Sequence, residues 1–123
     1  MILAATVVAV TTLLPQLAGE PPNAELAVIN ARLGGCSADF TVHGPDGKPV
    51  YAAVIHVRVR YGFMNVKRMD LEVGTNSNGQ ARVEGLPAKA KPLVYEVSRV
   101  DRKATVEQNL SSTCRGTYAV SLK

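Results

Sequence analysis

The 123-residue chain has no tryptophan, only two phenylalanines, two histidines and two cysteines, and aromatic residues make up 5% of it. Each shortage excludes something. Two cysteines with no histidine near them cannot complete a zinc site. No Cys-x-x-Cys spacing is present to lower a thiol pKa for redox work. His43 and His56 stand in separate segments with no obvious third ligand. No G-x-S-x-G elbow presents a nucleophile, and the carboxylates are scattered singly or lie among arginines. The chain therefore carries no expected catalytic residue, metal site or cofactor. The net charge is +4, which favours anionic partners at long range. Lys and Arg nevertheless form no dense block, and paired stacking aromatics are missing, which argues against nucleic acid. No apolar run reaches the length of about 20 residues that a membrane-spanning helix needs.

Residues 2 to 14, ILAATVVAVTTLL, are uncharged and almost wholly apolar or Thr. Pro15 breaks the run, and the small residues Ala18 and Gly19 and the polar Glu20 follow. An apolar run of this length ending in small residues predicts a secretory signal. A buried strand or a membrane anchor are the alternatives, and no Lys or Arg precedes the run. The expected division is a signal and short linker over residues 1–24 and one domain over 25–123, secreted or periplasmic, with no stable membrane span.

Beyond residue 25 the apolar residues repeat every second position, the period of strands with one buried face. Ile55, Val57 and Val59 alternate with His56, Arg58 and Arg60; Met69, Leu71 and Val73 alternate with Arg68, Asp70 and Glu72. Similar runs occupy 36–42, 80–84, 93–98, 104–106 and 118–122, with a further candidate strand at 26–33. Gly44-Pro45-Asp46-Gly47, Asn76-Ser77-Asn78-Gly79 and Gly85-Leu86-Pro87 punctuate them as turns. Short strands at such spacing predict an all-β β-sandwich of about seven strands. Parity constrains the hairpin between residues 53 and 73. Its solvent positions are even on both strands, so paired numbers must sum to an even number. Pairing Arg58 with Asp70 sets opposite charges face to face and is favoured over the register that opposes Arg58 and Arg68.

Cys36 opens one strand pattern and Cys114 precedes the last, each in phase with the apolar face of its run. In an exported protein this predicts a disulfide between them, the one intramolecular pairing two cysteines allow. Two free buried thiols are the alternative.

Several motifs occur in order: Phe40-Thr41-Val42, then Asp46-Gly47-Lys48-Pro49-Val50, then Ala53-Val54-Ile55-His56-Val57, then Thr75-Asn76-Ser77-Asn78-Gly79-Gln80-Ala81-Arg82-Val83, and Gly85-Leu86-Pro87. This order resembles carboxypeptidase regulatory-like domains and related transthyretin-like (prealbumin-like) sandwiches of secreted proteins. The resemblance implies an Ig-like/transthyretin-like Greek-key β-sandwich and no particular activity. One transthyretin-like branch, the 5-hydroxyisourate hydrolases, uses two His, an Arg and a C-terminal Tyr-Arg-Gly-Ser. Cys114-Arg115-Gly116-Thr117 echoes that ending, but with Cys for Tyr and ahead of a final strand, so no residue is carried over.

Two features point to a binding surface. Tyr61, Phe63 and Met64 fall at the predicted hairpin tip, where an exposed aromatic and Met call for a contact or for folding back as a cap. Arg58, Arg60 and Arg68 lie beside it, with Lys67. Together they fit an envelope protein, a polysaccharide or another anionic surface. Asn109-Leu110-Ser111 is a glycosylation sequon, meaningful in a eukaryotic secretory pathway. The expected function is an exported, non-catalytic binding or adhesion module. A transthyretin-like hydrolase or metal-dependent enzyme, and an assembly protein joining partners through an edge strand, are the alternatives. Oligomeric state is not legible in the sequence.

Overall fold

Alternation along the chain is realised as two packed sheets in the computed structural model, which describes residues 24–123. The expected signal segment lies outside the described residues, apart from its last residue, Ala24. Among the described residues eight strands form: β1 (Ala27–Asn30), β2 (Cys36–His43), β3 (Val54–Tyr61), β4 (Lys67–Gly74), β5 (Gln80–Leu86), β6 (Leu93–Arg99), β7 (Arg102–Gln108) and β8 (Arg115–Ser121). One sheet has the order β1-β5-β2-β8 and the other β4-β3-β6-β7. The eighth strand is the candidate at 26–33, shortened to Ala27–Asn30. It pairs parallel to β5, and β8 pairs parallel to β2, so the first sheet is mixed. Parallel neighbours carry no turn between them, and sequence parity cannot reveal them.

The core is made mostly of small and branched side chains. Ala38, Phe40, Val42, Ala81, Val83 and Val120 face inward from the first sheet; Ile55, Val57, Val59, Leu71, Leu93, Tyr95 and Val97 face inward from the second. Two aromatics link the layers, with the Phe40 ring edge-on to Tyr95 at 4.8 Å between centroids. The hairpin takes the register that opposes Arg58 to Asp70.

The stretch from Thr75 to Pro87 is structural punctuation. Thr75 is buried; its hydroxyl donates to the Val50 carbonyl and accepts from the Ala53 N–H. The buried Asn76 carboxamide oxygen accepts from the N–H groups of Asn78 and Gln80, and its NH2 donates to the Ala24 carbonyl. Gly79 follows at φ 75°, where an added Cβ would collide with the Val42 carbonyl oxygen. Only glycine fits that turn.

The two sheets are tied at one end. Cys36 and Cys114 form a disulfide, with Cα atoms 4.7 Å apart, joining the start of β2 to the 109–114 segment that carries the chain from β7 to β8. Beside it, the buried Gln108 spends its whole carboxamide. Its NH2 donates to the carbonyls of Ser37 and Thr113, and its oxygen accepts from the Tyr95 hydroxyl at 2.6 Å. Burial pushes the Tyr95 phenol above the ordinary tyrosine range.

Replacing both cysteines by alanine should lower stability by about 4 kcal/mol on the chain-entropy argument for a loop of this size. Denaturant unfolding of the variant beside the oxidised protein measures it, and an unchanged midpoint would show that the crosslink adds nothing. The Tyr95 shift predicts an alkaline limit. Folding holds the phenol neutral, so its contribution is complete below the unfolded tyrosine pKa of about 10 and is lost as pH rises above it. Tyr95→Phe should cost about 1–2 kcal/mol at neutral pH by orphaning Gln108. It should also flatten the loss of stability above about pH 10, as melting curves across pH would record.

Candidate functional site

On the outer face of the second sheet the strand register arranges charge in rows. Across β3, His56 sits opposite Glu72 on one side and Glu96 on the other. Its ring nitrogens lie 3.4 Å from Asp70 and 3.7 Å from Glu96. One step along, the Arg58 Nε donates to Asp70 at 3.0 Å. That hydrogen bond, with the nearby His56, holds the Asp70 carboxyl below its usual range despite some desolvation. The middle of the face is thus an internally compensated band.

The next step is different. Arg60 lies directly opposite Arg68, and Tyr61 opposite Lys67. Among the described residues, no carboxylate stands within 4.0 Å of Arg60, Lys67 or Arg68. Like charges set directly opposite each other in an antiparallel pair destabilise it. The fold tolerates this repulsion at the end of the hairpin, and again where Arg99 opposes Arg102 at the far end of the sheet.

The tip itself is a single 3-10 turn, Phe63–Asn65, entered through Gly62 at φ 83°. The Asn65 and Val66 N–H groups donate back to the carbonyls of Gly62 and Phe63. Met64 and Asn65 both hold left-handed backbone, at φ 57° and 55°. Such a conformation costs about 1–2 kcal/mol for a residue with a Cβ. The turn does not fold back as a cap on the sandwich: Phe63 is 84% exposed, Met64 77% and Val66 74%. The sequence singled out Tyr61, Phe63, Met64, Arg58, Arg60 and Arg68, and the structure places all six on one hairpin, five of them at its end and Arg58 a step back in the compensated band. Arg58 differs from the others in being engaged by Asp70.

Sequence reading missed a groove at the same end. Pairing between β3 and β6 covers only Val54–Val57 of β3, whereas pairing with β4 runs on to Tyr61. The far half of the hairpin projects beyond β6, and a shallow groove of about 240 Å³ opens beside it, lined by Arg58, Arg60, Lys91, Pro92, Leu93 and Val94. Lys91 belongs to a loop 31 residues beyond Arg60, and no spacing motif links them.

The remaining candidates do not converge. His43 ends β2 on the outer face of the first sheet and His56 lies on the outer face of the second, so the two point away from each other. Among the described residues, no group of three or more His, Cys, Asp or Glu side chains is arranged to hold a metal ion. A broader polar hollow of about 500 Å³ crosses the outer face of the first sheet, but its Arg82 is hydrogen-bonded to Asp39 and its Asn30 to Glu84. No described helix is long and apolar enough to cross a membrane. In the sequon, the Asn109 side-chain oxygen accepts from the Ser111 N–H and hydroxyl at the exposed start of the 109–114 segment.

No family model and no curated protein matches the chain. Among solved structures it is similar to catechol 1,2-dioxygenase from Pseudomonas arvilla C-1, with a TM-score of 0.53 and 10% identity over 85% of this chain and 53% of that one. It is also similar to catechol 1,2-dioxygenase from Acinetobacter sp. ADP1 inhibited by bound mercury, with a TM-score of 0.47 and 14% identity over 85% of this chain and 54% of that one. The chain spans about half the length of these neighbours. At this identity the first likeness establishes a shared sandwich fold and nothing about chemistry.

The Arg60–Arg68 pair yields a test in which stability and function move oppositely. Arg68→Glu turns a repulsive cross-strand pair into an attractive one and should raise stability by a few tenths of a kcal/mol. If the hairpin end binds anions, the same change should abolish that binding. A melting curve and a polyanion-column elution on one sample check both halves.

Proposed function

We propose that the protein is a small exported, non-catalytic β-sandwich module that binds an anionic surface of the cell envelope or its surroundings through the end of the β3–β4 hairpin. The observation that carries this reading is the tip itself. Phe63 and Met64 stand in solvent on a backbone fixed by two left-handed residues, directly beyond the unpaired cations Arg60, Lys67 and Arg68. Strained backbone and exposed apolar side chains are each unfavourable, and their coincidence marks surfaces that meet partners.

Other features support the surrounding parts of the reading. A disulfide fits an oxidising compartment, in keeping with the apolar, small-residue-terminated run at residues 2–14. The ordered motifs from Phe40 to Pro87 favour kinship with carboxypeptidase regulatory-like and transthyretin-like sandwiches. A hydrolase or metal-dependent enzyme on this scaffold would draw histidines into one pocket, and here they face apart on two sheets.

Binding to native envelope material tests the proposal. Wild type should sediment with envelope fractions and be released by salt, because exposed charges are screened over about 10 Å at 0.1 M. Phe63→Ser should weaken binding roughly tenfold, the scale of one large apolar side chain left in water, while leaving the melting temperature within a degree or so. Retained binding, or a large loss of stability, would remove the tip from this role.

A further inference from the structure

We infer that the hairpin end docks on an anionic phospholipid bilayer, with Phe63, Met64 and Val66 entering the interface and the Arg58–Arg60–Lys91 groove seating a phosphate headgroup. This rests on the proposed binding role and specifies its partner.

The hairpin end is built in two layers. The tip presents three apolar side chains in sequence positions 63, 64 and 66, each at least 74% exposed. Immediately behind them come Lys67 and the Arg60–Arg68 pair, and beside these Lys91 across the groove. Half-buried Tyr61 lies at the boundary between the two layers. A polysaccharide or nucleic acid would neutralise the cations and leave Phe63, Met64 and Val66 in water. An anionic bilayer offers a plane of phosphates with hydrocarbon directly beneath it, so both layers are satisfied at once. A tyrosine at the junction suits the headgroup level, where a ring with an apolar body and polar end is at home. The polarity of the whole face agrees. The carboxylates Glu72 and Glu96 flank His56, further from the tip, while the cations crowd towards it. The molecule would stand on the membrane with β3 and β4 pointing into it.

The absence of tryptophan supplies a clean probe. In the full chain, Phe63→Trp places a sole indole at the tip, and Val100→Trp places one at the opposite end of β6, where Val100 is 83% exposed. Each variant is titrated with vesicles of phosphatidylcholine alone and with vesicles containing roughly a third phosphatidylglycerol. The Phe63→Trp emission should shift to the blue on the anionic vesicles only, and the Val100→Trp emission should not move. Arg60→Ser with Lys91→Ser should weaken partition roughly 25-fold, about fivefold for each cation near the surface. Asp70→Ala, which frees Arg58, should strengthen it.

A blue shift of the Phe63→Trp variant on both vesicle types would overturn the inference, since insertion would then need no anionic headgroup, and a shift in the Val100→Trp variant would overturn it by placing the membrane contact elsewhere. No shift on either vesicle would also overturn it. If the protein then still bound lipid-extracted envelope material in a Phe63-dependent way, the binding-module reading would stand with a polysaccharide or protein partner. Loss of both would end both.

Discussion

Gln108 belongs to the second sheet, yet its amide reaches the Ser37 carbonyl in the first, next to the disulfide that pins β2 to the 109–114 segment. The rest of the molecule depends on this junction. With no tryptophan and a core weighted towards Val and Ala, each buried residue contributes modestly, about 1.5 kcal/mol for a valine at the low end. A sandwich of this kind is held by how its layers are registered as much as by how much they bury. Gln108 fixes that register because every one of its polar atoms is used: two carbonyls and one phenol, drawn from β2, the 109–114 segment and β6. A fully satisfied buried network has one geometry, whereas a purely apolar contact has several of similar energy.

The junction also lies at the hairpin end. Leu93 pairs with Gln108 and lines the groove beside Arg60. The β3–β4 hairpin therefore projects from the part of the sandwich that is crosslinked and hydrogen-bonded most tightly, in keeping with recognition loops set on a rigid base. The opposite end carries its own strain. Val100, a β-branched residue, holds φ 59° in the two-residue turn between β6 and β7, and the Arg99 guanidinium bonds the Tyr51 carbonyl nearby. That turn offers one exposed apolar side chain where the hairpin tip offers three, and a carboxylate, Asp101, sits among its Arg99, Arg102 and Lys103.

How much of this was legible depended on whether the signal was local. Ile55-x-Val57-x-Val59 and Met69-x-Leu71-x-Val73 fix strand faces by their period alone, and charge sufficed to choose the register that sets Arg58 against Asp70. The cysteines could be paired because only one pairing exists. Parallel pairing of β1 with β5 and β2 with β8 was hidden, because such neighbours are distant in sequence and share no turn. Gln108 was hidden too. A glutamine after Val106 and Glu107 reads as the solvated end of a strand, and only the fold brings Tyr95, Ser37 and Thr113 around it. At the candidate site the tip residues were legible as a loop with an aromatic. Lys91 and the groove were not, because they arise where β3 outruns β6, a length mismatch between strands that no composition encodes.

That mismatch explains why the hairpin end can tolerate what the middle of the face cannot. Where β3 lies between β4 and β6, His56 is surrounded by Asp70, Glu72 and Glu96, and one step on Arg58 is still matched by Asp70 on β4, so charge is balanced within the sheet. Past Val57 one neighbour is missing, and solvent on that flank screens Arg60 from Arg68 more effectively than a third strand would. The repulsion between the two arginines is thereby kept small in the free protein. It would grow if the face were dried by a neutral partner and turn favourable if dried by an anionic one, because removing water strengthens every Coulomb term that remains. The same geometry that lets the hairpin project therefore also leaves its cations uncompensated within the sheet.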